Sequence, residues 1–193
     1  MEGGGDSAAN KSAIRVGMSE FLSDIRESAR SKRSRWKVVA CGGRDAAHDA
    51  FTQAQENSPE FFNVLLVDSE EQVSGEAVAH LRARDGWALE VDADRVHLMA
   101  QIMETWLVAD AEGMEQYYGQ HFKRSALPRA SDLESVSKAD VEQALDKATE
   151  RTTKGRYHKI RHASDLLKKI DPSVVRERCR YCRRLFEVLL NLT

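Results

Sequence analysis

The chain has 193 residues, of which 41% are hydrophobic and 7% aromatic, a composition typical of one globular domain. This composition excludes a disordered, collagen-like or disulfide-knotted chain. No run approaches the roughly 20 apolar residues that a membrane helix needs, so we expect a cytoplasmic protein with no membrane partner.

The charged residues are unevenly distributed along the chain. Residues 1–150 carry 17 basic and 27 acidic side chains, a balance of −10, whereas residues 151–193 carry 12 and 4, a balance of +8. An acidic body and a basic C-terminal part can hold cations in one region and a polyanion in the other. The alternative is that the basic side chains only solvate helix faces.

The first 60 residues alternate between helix and strand patterns. Apolar residues at helical spacing predict a helix over residues 8–31, and the β-branched run Trp36–Ala40 predicts a strand. Cys41-Gly42-Gly43 ends that strand in a glycine turn, after which a helical pattern resumes from Arg44 to about Gln55.

The next two strands complete a sheet. Phe61–Val67 is the most apolar run of the chain and predicts a central buried strand, and Val96–Ala100 predicts another short one. The order helix, strand, helix, strand is typical of a mostly parallel sheet covered by helices, an α/β class.

The rest of the chain is predicted to be helical. Helical patterns cover residues 101–118, 138–150, 158–169 and 173–191. We expect an α/β core over residues 1–120 and a basic helical C-terminal extension, residues 121–193, packed on that core.

Two acidic residues follow the most apolar strand directly. Asp68 and Glu70 stand where ligands bind in parallel α/β sheets, at the carboxyl end of a strand, and their spacing allows both to hold one hard cation such as Mg²⁺. The alternative is that Asp68 caps the next helix and Glu70 is solvated.

Two further motifs have competing interpretations. The glycines of Glu2-Gly3-Gly4-Gly5-Asp6 let the backbone approach a phosphate or a metal, or else form a flexible tail. Cys179 and Cys182 form a CxxC without the second ligand pair of a zinc site, so packing is favoured over metal or redox use.

Five short blocks in one order resemble the bacterial family called domain of unknown function 4276. That family is in turn similar to the TOPRIM fold of topoisomerases, primases and overcoming-lysogenization-defect nucleases. The resemblance implies a TOPRIM-like, mostly parallel sheet with flanking helices, and a metal-dependent nuclease that works beside a partner ATPase in phage defence. The blocks are Glu2–Asp6, Ala40–Asp45, Leu66–Glu70, Leu98–Trp106 and Lys154–Lys159.

The resemblance also implies a set of acidic site residues. Glu2 matches the glutamate after the first TOPRIM strand, and Asp68 and Glu70 match the acidic pair after the third, so the three would bind Mg²⁺ or Mn²⁺. The usual pair is two aspartates, and Glu70 departs from it. Glu104 is the candidate for a second metal or a base, with a solvated helix glutamate as the alternative.

The basic residues of two blocks are candidates for contact with DNA or RNA. Lys154, Arg156 and Lys159 lie in the basic third, and Lys154 is predicted to stabilise charge in the transition state. Tyr157 either stacks on a base or packs. Arg44, at the start of a predicted helix, either cradles a phosphate or belongs to a tight turn.

One departure from the TOPRIM pattern concerns the first strand. TOPRIM folds place an apolar strand immediately before the first glutamate, and only Met1 stands there. We expect that the true start lies upstream. The rival hypothesis is a non-catalytic binding module that docks on an ATPase or on nucleic acid. The absent strand and Glu70 favour that rival, and dependence on divalent metal separates the two.

Overall fold

The computed structural model describes residues 1–5 and 7–192, and these ranges contain ten α-helices and a two-stranded parallel sheet. The fold is therefore a mostly helical α/β fold with a smaller sheet than predicted. Asp6 of the predicted glycine motif and Thr193 lie outside the described residues. The elements are α1 (Ala8–Phe21), α2 (Ser23–Ser31), α3 (Arg44–Asn57), β1 (Leu65–Asp68), α4 (Ala77–Asp85), β2 (Val96–Met99), α5 (Glu104–Ala109), α6 (Ala111–Tyr118), α7 (Lys138–Thr149), α8 (Lys159–Leu167), α9 (Pro172–Arg178) and α10 (Arg180–Leu192).

The two strands pair in parallel, with Leu65 opposite Val96 and Asp68 opposite Met99. All eight strand residues are buried, which explains why the strands are runs of apolar residues rather than alternating patterns. The parallel arrangement confirms the prediction from element order. The strand predicted over Phe61–Val67 begins only at Leu65.

The delay of β1 has a local cause. The side-chain amide of Asn63 donates to the carbonyl oxygens of Ala54 and Ser58, each at 3.0 Å, so this segment closes the C-terminal end of α3 before the strand starts. Phe61 and Phe62 lie exposed ahead of it.

The N-terminal residues lie beside β1. Glu2 donates its N–H to Leu66 O at 3.0 Å, and on the other side Gly3 N and Gly42 O lie 2.8 Å apart. The pairing amounts to isolated bridges rather than a ladder. The predicted strand Trp36–Ala40 is therefore wrong as an assigned element, although the chain around it hydrogen-bonds to residues 1–3: Cys41 N donates to Met1 O at 3.0 Å.

Three of the predicted helices are each two helices. Residues 8–31 break at Leu22, residues 101–118 break at Asp110, and residues 173–191 break at Cys179. The break at Asp110 is fixed by its carboxylate, which accepts from Gly113 N and from Asp171 N. Helix α4 was not predicted.

The largest buried cluster surrounds Trp106 of α5 and receives side chains from α1, α8 and α10. Helices α1 and α8 approach closely at Gly17, where an added Cβ would lie 2.5 Å from Ser164 O. Ser164 Oγ also donates to Ala13 O at 2.6 Å. This contact fixes α8, the helix that begins at Lys159. The predicted boundary at residue 120 stays a prediction.

Among the described residues, none of the helices combines the length and the apolar character that spanning a bilayer requires.

Candidate metal centre

Three carboxylates meet at the carboxyl end of β1. Each of Glu2, Asp68 and Glu70 offers an oxygen, and these oxygens lie within 4.8 Å of one another. Asp68 ends the strand and is 2% exposed, whereas the other two are half-buried. The structure thus brings together the three residues named from the sequence as metal ligands.

Backbone hydrogen bonds hold these side chains in place. Glu2 Oε2 accepts from Asp68 N at 3.1 Å, and Asp68 Oδ1 accepts from Met103 N at 2.8 Å, just before α5. Glu70 has a φ of 65°, in the left-handed region that costs a non-glycine residue free energy, and its N–H donates to Gln101 O at 2.7 Å. The carboxylates of Glu2 and Asp68 are thus held by backbone N–H groups, and the backbone at Glu70 is held by Gln101.

Each carboxylate of the triad has a cationic neighbour. Arg44 Nη1 lies 3.6 Å from Glu2 Oε2, Lys138 Nζ lies 2.5 Å from Glu70 Oε2, and Lys159 Nζ lies 3.4 Å from Asp68 Oδ2. The negative charge of the cluster is thereby compensated by side chains of the chain itself.

Arg44 has a further structural role. Its guanidinium binds both carboxylate oxygens of Asp85, at 2.9 and 2.6 Å, and also donates to Asp68 O. The side chain is only 14% exposed. Arg44 therefore links Asp85 to the end of β1 and lies beside Glu2. These contacts occupy most of the N–H donors of its guanidinium.

Burial dominates the electrostatics of the cluster. It raises the pKa of Asp68 to about 7, with Glu2 and Glu104 acting in the same direction and Lys159 opposing them. Burial also raises the pKa of Glu2. A buried carboxylate that is costly to ionise gains from a nearby cation, so the site favours positive charge.

Glu104 belongs to the border of the same site. It is 4% exposed, its Oε1 accepts from the Tyr157 hydroxyl at 2.8 Å, and its Oε2 lies 3.5 Å from Lys159 Nζ. Among the residues the structure describes, Oε2 accepts no hydrogen bond. Glu104 lines a cavity of about 360 Å³ together with Lys138 and Lys159. The alternative of a solvated helix glutamate is therefore wrong.

Lys154 and Arg156 lie elsewhere in the basic motif. Lys154 Nζ lies 4.9 Å from the centroid of the Tyr117 ring. Arg156 is exposed and pairs with Asp146 at 3.5 Å and Glu150 at 3.7 Å. Of the three basic residues predicted from this motif, Lys159 is the one that reaches the cluster.

Sequence reasoning missed Lys138 and the role of Tyr157. Lys138 opens α7 after the capping residue Ser137, and its partner Glu70 is 68 residues away, so no local pattern signals the pair. The sequence leaves two interpretations of Tyr157, which are stacking on a nucleic acid base and packing inside the protein. Its ring packs against the largest buried cluster, which is the second of these alternatives, and its hydroxyl in addition donates a hydrogen bond to Glu104.

The donor set fits a hard divalent cation. Mg²⁺ and Mn²⁺ prefer carboxylate oxygens, and the triad supplies one from each of three side chains, with these oxygens within 4.8 Å of one another. Glu104 adds, at the edge of the same site, a buried oxygen that accepts no hydrogen bond from any residue the structure describes.

The two cysteines of the CxxC motif are poorly suited to redox chemistry. Cys179 and Cys182 are buried free thiols, and burial raises the pKa of both. Because the thiolate is the reactive form, these side chains are disfavoured as nucleophiles and as metal ligands.

The comparisons with known proteins give one finding about the family. The family model described as Domain of unknown function (DUF4276) matches residues 1–190. No curated protein and no solved structure matches the chain.

Proposed function

The chain belongs to the DUF4276 family, and we propose that it is a metal-dependent nuclease that cleaves nucleic acid phosphodiesters at the Glu2, Asp68 and Glu70 centre. The observation that carries this proposal is the convergence of three carboxylate oxygens within 4.8 Å at the buried end of β1. Carboxylate oxygens are the protein ligands that Mg²⁺ and Mn²⁺ prefer.

The residues of the chain have separate roles in this proposal. When bound, the metal ion would activate a water molecule and stabilise charge on the scissile phosphate. Asp68 is oriented for binding by Met103 N–H, and Arg44 keeps Glu2 beside it. Lys138 and Lys159 supply positive charge next to the ligands, where a phosphate is neutralised.

The substrate class rests on the charge of the chain and on the resemblance to TOPRIM enzymes. The excess of basic residues over 151–193 favours a polyanion, either DNA or RNA. The partner ATPase and the phage-defence role follow from the resemblance alone, and the TOPRIM likeness itself is part of the proposal.

Cleavage of labelled DNA and RNA tests the proposal. We expect cleavage by the wild-type protein with Mg²⁺ or Mn²⁺, none with EDTA, and a loss of at least about 100-fold in Asp68→Asn, which keeps the side-chain shape and removes the charge. Asp165→Asn is the matched control, since Asp165 is an exposed carboxylate paired with Lys168. Cleavage that persists in EDTA or in Asp68→Asn would contradict the proposal, as would silence of every form with the partner ATPase added.

A second candidate function is favoured by the ion pairs of the site. Because Glu2, Asp68 and Glu70 each already have a cationic neighbour, the cluster is also compatible with a purely structural role in a module that docks on an ATPase or on nucleic acid. Such a module would bind its partner equally well in EDTA, and nucleic acid binding would weaken steeply with salt.

A further inference from the structure

Lys159 lies between two buried carboxylates. Its Nζ is 3.4 Å from Asp68 Oδ2 and 3.5 Å from Glu104 Oε2. The two acidic side chains are 3% and 5% exposed, whereas the lysine side chain is 45% exposed along the cavity wall. The ammonium thus holds together two acids that would repel each other.

The location is otherwise unfavourable for a cation. Lys159 is the first residue of α8, and the N-terminal end of a helix carries partial positive charge that destabilises a lysine there. Burial likewise disfavours the ammonium, yet Asp68, Glu104 and Glu2 raise the pKa of Lys159 above its usual range. These three carboxylates therefore offset both costs.

The backbone of α8, from which the Lys159 side chain extends, is held by contacts at two points. His158 N donates to His162 Nδ1 at 3.0 Å, which caps the first turn. Further along, Ser164 packs against Gly17 of α1 so closely that a Cβ on that glycine would meet Ser164 O. The backbone at Lys159 is consequently held in place, and the ion pairs with Asp68 and Glu104 position its ammonium.

Glu104 provides an independent sign that a cation belongs at this place. Its Oε1 is satisfied by Tyr157, but its buried Oε2 accepts no hydrogen bond among the described residues and has Lys159 as its ion partner. A buried carboxylate oxygen without a hydrogen bond is costly unless positive charge faces it. Glu104 is also outside the triad whose oxygens lie within 4.8 Å of one another.

We propose that Lys159 takes the place of a second metal ion, so that the centre holds one divalent cation on Glu2, Asp68 and Glu70 and uses the ammonium clamped by Asp68 and Glu104 as its second fixed positive charge. This inference rests on the proposed function for the first ion only. It assigns Lys159 as a residue that meets the substrate phosphate, and it assigns Glu104 as the residue that positions Lys159.

Counting bound Mn²⁺ by native mass spectrometry tests this inference without any activity. We expect one ion per wild-type chain at saturating Mn²⁺ and two in Lys159→Met, because the freed Asp68 and Glu104 carboxylates then accept a cation. The double variant Lys159→Met/Glu104→Gln returns to one ion. The matched control is Lys168→Met, which removes one lysine charge from the other end of α8 and leaves the count at one.

The outcomes separate this inference from the proposed function. Two ions in the wild type, or no added ion in Lys159→Met, would overturn the inference. If the wild type binds none and Lys159→Met binds one, the part of the inference that puts Lys159 in the place of a metal ion stands, and the triad site of the proposed function fails. Lys159→Met removes the cationic partner of two buried carboxylates. This variant is therefore purified in the presence of Mn²⁺. Lys159→Gln, which keeps a hydrogen-bond donor, is expected to give the same count and repeats the test in a milder form.

Discussion

Asp68 is the residue on which the contacts of the site converge. Its backbone oxygen accepts from Arg44, its Oδ1 from Met103 N, and its Oδ2 faces Lys159. The sequence could predict that Asp68 and Glu70 share a strand end, because they are two residues apart after an apolar run. Glu2 was named only through the family resemblance, since no pattern of spacing joins residues 66 positions apart.

The choice between Lys154 and Lys159 lay beyond the sequence. Both lie in one short basic motif, but Lys154 precedes a turn at Gly155, whose φ is 78°, whereas Lys159 begins α8. Which lysine faces the acids depends on how α8 packs against α1, and that is a tertiary fact. The same motif therefore contributed one side chain to the site and one to the ring of Tyr117.

Removing the Tyr157 hydroxyl tests the border of the site. Tyr157→Phe deletes the donor to Glu104 Oε1 and leaves a buried carboxylate oxygen unpaired, so we expect a loss of about 1–3 kcal/mol in the free energy of unfolding by urea. Tyr117→Phe keeps the ring under Lys154 and should change stability by less than about 0.5 kcal/mol. Equal losses in the free energy of unfolding for the two variants would contradict a stabilising contribution of the hydrogen bond between Tyr157 and Glu104.

At the scale of elements, the sequence predicts where helices exist better than where they break. The apolar periodicity runs through Leu22, Asp110 and Cys179, at which the structure divides three predicted helices. The break at Asp110 depends on Asp171, which is 61 residues away and donates its N–H to the Asp110 carboxylate. A local sequence pattern cannot reveal a hydrogen-bond partner so far away along the chain.

The packing of α8 on α1 can be tested at Gly17. In Gly17→Ala the new Cβ would lie 2.5 Å from Ser164 O, which is backbone and cannot give way cheaply. Although alanine favours helix, we expect a net loss of about 1–3 kcal/mol in the free energy of unfolding, together with weaker Mn²⁺ binding as α8 shifts. Ser12→Ala, an exposed change in the same helix, serves as the control and should leave both quantities nearly unchanged. A Gly17→Ala protein as stable as the control would contradict the close approach.

At the scale of the whole molecule, the basic excess over residues 151–193 is not simply a free cationic surface. Arg178 donates to the carbonyl oxygens of Ala109, Pro128 and Ala130, and Arg183 donates to those of Arg176 and Glu177. These guanidinium groups stabilise the packing of the C-terminal helices. Charge counting could predict that the two regions of the chain differ in sign, but it could not separate structural arginines from exposed ones.

The pH dependence of stability has one contribution that can be isolated. Glu134 is 4% exposed, both its carboxylate oxygens lie 3.1 Å from Tyr181 N, and burial raises its pKa to about 7. Between about pH 4.5 and 7 the unfolded chain has released this proton and the folded chain has kept it, so stability falls as pH rises through that window. The contribution is about 3 kcal/mol at most and is constant above pH 7.

Comparison with Glu134→Gln measures that contribution, because the amide does not titrate. We expect the difference in the free energy of unfolding between wild type and Glu134→Gln to move against the wild type from pH 5 to pH 7, in urea titrations at constant ionic strength. Other groups titrate equally in both proteins and cancel. Parallel pH profiles of the two proteins would contradict the raised pKa of Glu134.

Calorimetric titration of Mn²⁺ into the purified protein tests the central claim, that the end of β1 is a divalent metal centre, most directly. We expect saturable binding to the wild-type chain and binding at least about tenfold weaker in Asp68→Asn, because one of the three carboxylates of the cluster has lost its charge. Asp165→Asn should bind like the wild type. A wild-type protein that takes up no Mn²⁺, or an Asp68→Asn protein that binds it equally well, would contradict the metal centre and leave the three acids as a structural cluster held by Arg44, Lys138 and Lys159.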